Sequence, residues 1–180
     1  MIGFGLNCPI PIRAQRLHKQ CDNMKIKSLP PDVTLDALRS TLSSSDVILD
    51  AIFGFSFKGP VRAPFDEVLP LISSSKKPIV SVDIPSGWDV ENGNEAGVGL
   101  VPDVLLSLTA PKEGVRPFKG RHFLGGRFVP KLAFIYYFSL DWDFDIDHRA
   151  MEERFKLNLP EYPGFEQIVE LPQEQEPQQL

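Results

Sequence analysis

The run Pro78-Ile79-Val80-Ser81-Val82 passes directly into Asp83-Ile84-Pro85-Ser86-Gly87-Trp88. A short apolar run rich in β-branched residues reads as a buried strand. Its carboxyl end then carries a carboxylate, a proline that fixes the backbone, a hydroxyl and a glycine. A second run, Val47-Ile48-Leu49, ends in the same manner, in Asp50-Ala51-Ile52-Phe53-Gly54-Phe55-Ser56-Phe57-Lys58-Gly59-Pro60. In open parallel sheets, ligands sit beyond the carboxyl ends of the strands. Two strands that deliver Asp and Gly to one edge therefore outline a small-molecule pocket.

The rest of the pattern agrees with such a sheet. Strands are predicted over 46–50, with apolar character running on through Ile52, and over 79–84, 104–108 and 125–130. Near-continuous Val/Ile/Leu strands alternating with helices predict a parallel sheet covered on both faces. Helices are predicted over 15–25, 32–43 and 64–74. The first is expected to lead into a short strand. In the second, Leu35, Leu38 and Leu42 share a face and Asp32 is the expected cap. In the third, Pro64 suits the first turn, whereas Pro70 should kink or shorten the helix. Residues 87–102 form a Gly- and Asn-rich loop. From Pro160 onward the chain reads as a tail, and its last residues, rich in Pro, Gln and Glu, are expected to be disordered.

Composition narrows the function. A chain of 180 residues holds one domain with a real core. The net charge of −5 argues against nucleic acid as a partner, which needs clustered Lys and Arg. No apolar run approaches the roughly 20 residues that span a bilayer. Cys8 and Cys21 stand outside any Cys/His cluster, so neither zinc nor a disulfide framework is indicated. A reduced, cytoplasmic protein is expected. The start, Met1-Ile2-Gly3-Phe4-Gly5-Leu6, lacks the features of a signal peptide or an Arg-rich leader.

Each candidate side chain has a plainer alternative. Asp50 reads either as a ligand for a cation or a substrate hydroxyl, or as a turn cap. Asp83, between Val82 and Ile84, is costly to bury unless it is paired or used. Ser86 offers an oxygen to a cation or to a neighbouring amide. The amides of the loop from Gly54 to Pro60, with Lys58, suit a phosphate. Phe55 and Phe57 either stack on a flat ring or pack in the core. Lys112, after the third strand, reaches the same edge or is simply solvated. The alternating Asp141, Asp143, Asp145 and Asp147 fit a half-buried strand better than a calcium loop, since Ile146 stands where that loop needs glycine. His18, His122 and His148 show no metal or triad spacing.

Three of these motifs resemble the NAD(P)H-hydrate epimerases, the YjeF N-terminal domains. They are the run from Asp50 to Gly59, the run Ser81-Val82-Asp83-Ile84-Pro85-Ser86-Gly87-Trp88-Asp89-Val90, and the run Pro102-Asp103-Val104-Leu105-Leu106-Ser107-Leu108-Thr109-Ala110-Pro111-Lys112. The stretches from Phe118 to Pro130 and from Phe155 to Pro163 continue the likeness. The resemblance implies an α/β, Rossmann-like three-layer αβα sandwich with a mostly parallel sheet. It implies a partial epimerase domain over 15–171, an insertion over 131–150 and a disordered tail over 172–180. The implied activity is an isomerase of nicotinamide cofactor repair that interconverts the R and S forms of hydrated NADH and NADPH. By the same likeness Asp50 and Ser86 would bind potassium. Gly54, Phe55, Ser56, Phe57, Lys58, Gly59, Pro60 and Asp83 would contact the hydrated dinucleotide, with Asp83 as the acid/base. A homodimer is implied, as is coupling to an NAD(P)HX dehydratase, with a mitochondrial location for a longer form carrying a leader. The family's first strand and its Gly-Pro-Gly-Asn-Asn-Gly-Gly-Asp-Gly loop have no counterpart in this sequence. The alternative reading is therefore a non-catalytic binding or scaffold protein, or an inactive truncated form, of the same family.

Overall fold

The computed structural model describes residues 12–30, 32–125 and 160–172. Helix α1 (Ile12–Asn23) leads in, followed by α2 (Leu35–Ser43), β1 (Ile48–Asp50), α3 (Phe65–Ser74), β2 (Ile79–Val82) and β3 (Val104–Leu108). A 3-10 turn (Glu113–Val115), β4 (Arg121–Gly125) and β5 (Ile168–Glu170) complete the order. The sheet runs β1-β2-β3-β4-β5. The first four strands are parallel and β5 pairs antiparallel with β4. Among the described residues no helix is long and apolar enough to cross a membrane.

Local chemistry sets the element ends. Helix α2 is capped by Thr34, whose hydroxyl accepts from the Ala37 amide at 3.2 Å, and not by the expected Asp32. A turn closed by Val33 N to Pro30 O delays the helix start. Leu35 consequently falls outside the buried stripe, while Leu38 and Leu42 fill it. Helix α3 runs through Pro70 unbroken. That proline lies on the exposed face, where water can serve the carbonyl it leaves unpaired. The short strand expected after α1 does not form over 24–28.

Register explains the core. Ile48 pairs with Ile79, Asp50 with Ser81, Ser81 with Leu105, and Ser107 with Leu124, so these residues share one face of the sheet. That face is buried in two patches. Leu38, Leu42, Val68, Leu69 and Ile72 of α2 and α3 cover the Ile79 end with Leu100. Ile84 and Trp88, from the loop after β2, and Val115 of the 3-10 turn pack on Leu105. Each fully buried aliphatic side chain contributes about 1.5–3 kcal/mol of transfer free energy. The opposite face is different: Val80, Val82, Leu106 and Phe123 are only half-buried and Leu49 is 68% exposed. Among the described residues, then, one face is sealed and the other is not, whereas the strand composition predicts two covered faces.

The strands also shift against expectation. The fourth lies over Arg121–Gly125, earlier than the predicted 125–130; residues 126–130 fall outside the described residues. The stretch from Pro160 is not all tail. β5 closes the sheet beside β4, with Leu171 N bonded to His122 O at 2.7 Å and the Arg121 guanidinium forked on the Glu170 carboxylate at 2.8 and 3.1 Å. Three residues with one inward valine carry too little periodicity to announce such a strand. The segment 131–150, the predicted Asp141–Asp147 strand, His148 and the last residues from 173 fall outside the described residues.

Candidate functional site

β1 and β2 end side by side, and their terminal carboxylates take opposite surroundings. Asp50, the last residue of β1, is 1% exposed. Its Oδ2 accepts from the Ser81 hydroxyl at 2.7 Å and from the Ser86 amide at 2.9 Å. Its Oδ1 accepts from the Ser86 hydroxyl at 2.6 Å and, weakly, from the Ile52 amide at 3.4 Å. Ser86 in turn accepts from the Phe53 amide at 3.1 Å. Asp50 thus ties the ends of β1 and β2 together, and with them the first turn of the loop after each. A carboxylate offers about four lone-pair positions. All four are used by protein donors.

This arrangement answers whether the residues present suit a cation. Asp50 has no lone pair left over, and the Ser86 hydroxyl keeps one. Among the described residues no group of three or more His, Cys, Asp or Glu side chains is placed to hold a metal ion. As arranged, Asp50 and Ser86 do not fit the potassium that the resemblance implies.

Asp83 sits one residue beyond β2, half-buried, with a backbone φ of +73°. Val82 O accepts from Ile84 N at 3.0 Å, closing a γ-turn around it. Such turns with a positive central φ are rare and strained. The turn ends the strand before its predicted limit at residue 84 and swings the carboxylate toward the loop after β1. There Asp83 Oδ2 accepts from the Phe55 amide at 3.0 Å. Its Oδ1 pairs with the Lys112 ammonium, which also donates to Leu108 O at 3.0 Å. Among the described residues one lone pair on each oxygen remains open, and the side chain keeps 13% of its surface exposed.

The loop after β1 supplies the wall. A Cβ on Gly54 would come to 3.2 Å from Asp83 Oδ2, so glycine lets the loop close on the carboxylate. Phe57 is spent on packing: it stacks on Phe53 at 4.5 Å, and Phe53 meets Phe65 edge-on at 5.0 Å. Phe55 is not so used; its ring is 67% exposed at the rim. Ser56, Lys58, Gly59 and Pro60 are exposed beside it. The Lys58 charge helps to hold the Asp89 carboxyl below the usual range, behind the larger effect of the Asn92 and Glu91 amides that cap it. Gly87, at φ +91°, lets the next turn pass; a Cβ there would lie 2.7 Å from Gly99 Cα.

Thus the structure brings Asp50, Ser86, Asp83 and the loop from Gly54 to one edge. Three contributors were not among the residues singled out as site-forming: Ser81, Ile52 N–H and Phe53 N–H. Ser81 has a readable signal, since alternation puts it on the Asp50 face. The backbone donors have none. His122 lies elsewhere, bonded to Ser107 at 2.8 Å on the buried face. A cavity of about 350 Å³, lined by Lys76, Lys77, Ile79 and Asp103 among others, opens at the opposite, amino edge of the strands. The chemistry described above lies at the carboxyl edge, where parallel sheets bind ligands.

Comparison with known proteins places this edge in context. The family described as YjeF-related protein N-terminus matches residues 7–114. This chain belongs to that family. The chain is 47% identical over 173 residues to a Cryptococcus neoformans NAD(P)H-hydrate epimerase, covering 88% of this chain and 61% of that protein. It is 44% identical to a Puccinia graminis NAD(P)H-hydrate epimerase, covering 86% of this chain and 55% of that one. The crystal structure of yeast ynu0, YNL200c, matches with a TM-score of 0.71 at 30% identity, covering 91% of this chain and 62% of that one. The chain therefore spans less than two thirds of the length of these relatives. It shares the family's α/β fold with a mostly parallel sheet.

Proposed function

We propose that this chain is an NAD(P)H-hydrate epimerase that interconverts the R and S forms of hydrated NADH and NADPH. The curated relatives carry that activity in their names. The observation that carries the reading is Asp83: a carboxylate held by two donors at the ligand edge, with lone pairs still open beside a glycine loop. Inverting the hydrated ring carbon requires water to leave and return, or the ring to open and close. Either course needs a group that gives and takes a proton at the ring, and Asp83 is the carboxylate placed to do so. In this reading Lys58 meets the dinucleotide's phosphates with those amides of the 54–60 loop not spent within the chain, as the Phe55 amide is on Asp83 and the Phe57 amide on Gly54 O, and the Phe55 ring offers a flat face to a base or nicotinamide.

Homodimer formation, a cytoplasmic location and hand-over of the S form to a separate dehydratase belong to this reading as expectations from the family. Potassium, which the resemblance also implies, has no step in it, because the Asp50 lone pairs are filled. A scaffold reading draws on the sheet face that is half-exposed among the described residues, with Leu49. One experiment decides. Purified chain is mixed with hydrated NADH and R/S exchange is followed by chromatography in potassium and in choline buffer. Exchange above the spontaneous rate, equal in both buffers, is expected. Binding without exchange would establish the scaffold reading instead.

A further inference from the structure

Asp83 and Lys112 come from neighbouring strands, and the chain uses the same device twice to bring them together. β3 is followed directly by Thr109 at φ +69°, with Ala110 N bonded to Leu108 O at 2.8 Å. This is the γ-turn seen at Asp83, repeated one strand over. β2 and β3 are hydrogen-bonded in parallel, so the two strained turns stand side by side on one edge. Strain of this kind persists only where surrounding structure fixes it, and it gathers at functional sites. Beyond Thr109, Pro111 fixes the backbone before Lys112. The Lys112 stem then doubles back over its own turn, and its ammonium bridges Leu108 O and Asp83 Oδ1. The Lys112 side chain is only 20% exposed, so this is not a solvated surface lysine.

We propose that Lys112 is the positioning residue of this site, pinning one oxygen of Asp83 so that the carboxylate is presented in one orientation to the bound substrate. The Phe55 amide pins the other oxygen. Two anchors on different oxygens fix the plane of the carboxylate, which one anchor alone would leave free to rotate. An ammonium carries three donors. Two are committed to Asp83 and Leu108, and among the described residues none takes the third. Among the described residues the pair thus holds the base in place without filling its open lone pairs, which is what separates Asp83 from the saturated Asp50. This assignment rests on the epimerase reading for its kinetic part and on geometry alone for the pairing.

The test therefore has two parts. In the full chain labelled with ¹⁵N-lysine, the Lys112 ammonium should exchange slowly with solvent and lose that protection in Asp83→Asn. A Lys112 signal that exchanges like the exposed lysines overturns the proposal, whether or not the chain is active. With hydrated NADH, Lys112→Met should lower the saturated exchange rate on the order of 100-fold, the scale set by a misplaced reacting group, while KM changes about twofold or less. Lys112→Arg, or Lys112→Ala with added ethylammonium, should recover much of the rate. Parent-like exchange by Lys112→Met overturns the proposal. So does an equal loss in Met and Arg with no amine rescue, which would mark a purely structural role. If the parent chain catalyses no exchange, the epimerase reading fails and the ammonium measurement alone decides the pairing.

Discussion

Asp50 and Asp83 end adjacent strands of one sheet with the same residue type before the same kind of glycine loop, yet they do opposite work. Asp50 falls on the buried face, inside the strand register, where Ser81, Ser86 and Ile52 consume its acceptor capacity. Asp83 falls one residue past its strand, in a strained turn that lifts it from the alternation and leaves two lone pairs open. A buried carboxylate with every lone pair filled is cohesion; one held but unfilled is reactivity. Asp83 lies two positions beyond Ser81, the register partner of Asp50, and the turn there sets the two carboxylates apart.

The contrast breaks most visibly at Asp50. Asp50→Ala would strand two serine hydroxyls and the Ser86 amide in a buried place. Each such donor costs about 1–3 kcal/mol, so a loss of roughly 3 kcal/mol or more in urea unfolding is expected. Parent-like stability would show that Asp50 is not the tie between β1 and β2. Asp83→Asn should do the reverse. Asparagine tolerates the positive φ, so stability should move by about 1 kcal/mol or less, while R/S exchange falls on the order of 100-fold. An Asp83→Asn chain that exchanges normally would remove the base from the mechanism.

A smaller effect separates fold from site by pH. Burial pushes the His122 imidazole below its ordinary value. The folded chain therefore binds the proton less readily than the unfolded one. The corresponding stability is complete above the ordinary value of 6.5 and is lost as pH falls through the lower folded-state value. His122→Gln should flatten that acid slope in unfolding curves taken across this range. It should leave the exchange rate unchanged, since His122 meets Ser107 and Phe118 rather than the Asp83 rim. A changed rate would tie the buried face to the site more closely than the contacts show.

Much of this edge was legible before any coordinates. Apolar runs bounded by Asp and Gly located β1, β2 and β3, with Val104–Leu108 matched residue for residue. The motif residues Asp50, Ser86 and Asp83 do converge. What the pattern could not express was which carboxylate is sealed and which is open, because that depends on a positive φ at Asp83 that no side-chain periodicity records. Composition also leaves the sheet's second face undecided: among the described residues that face is only half-buried. Apolar residues at alternate positions satisfy both a two-sided and a one-sided sheet, and only burial separates them. Thr34 displaced Asp32 as the cap for a similarly local reason, a turn fixed by a carbonyl of Pro30. β5, three residues long, had no sequence signal strong enough to separate it from a tail.

The turn at residue 83 also restricts what this lineage can become. Asparagine and glycine accept a left-handed backbone, and each is a single base change from aspartate. Bulky and branched residues do not fit there. A descendant that no longer needs the carboxylate can thus abandon the chemistry in one mutational step while keeping its architecture. Asparagine or glycine at this position in a related chain would then mark a protein that retained the shape and gave up the reaction.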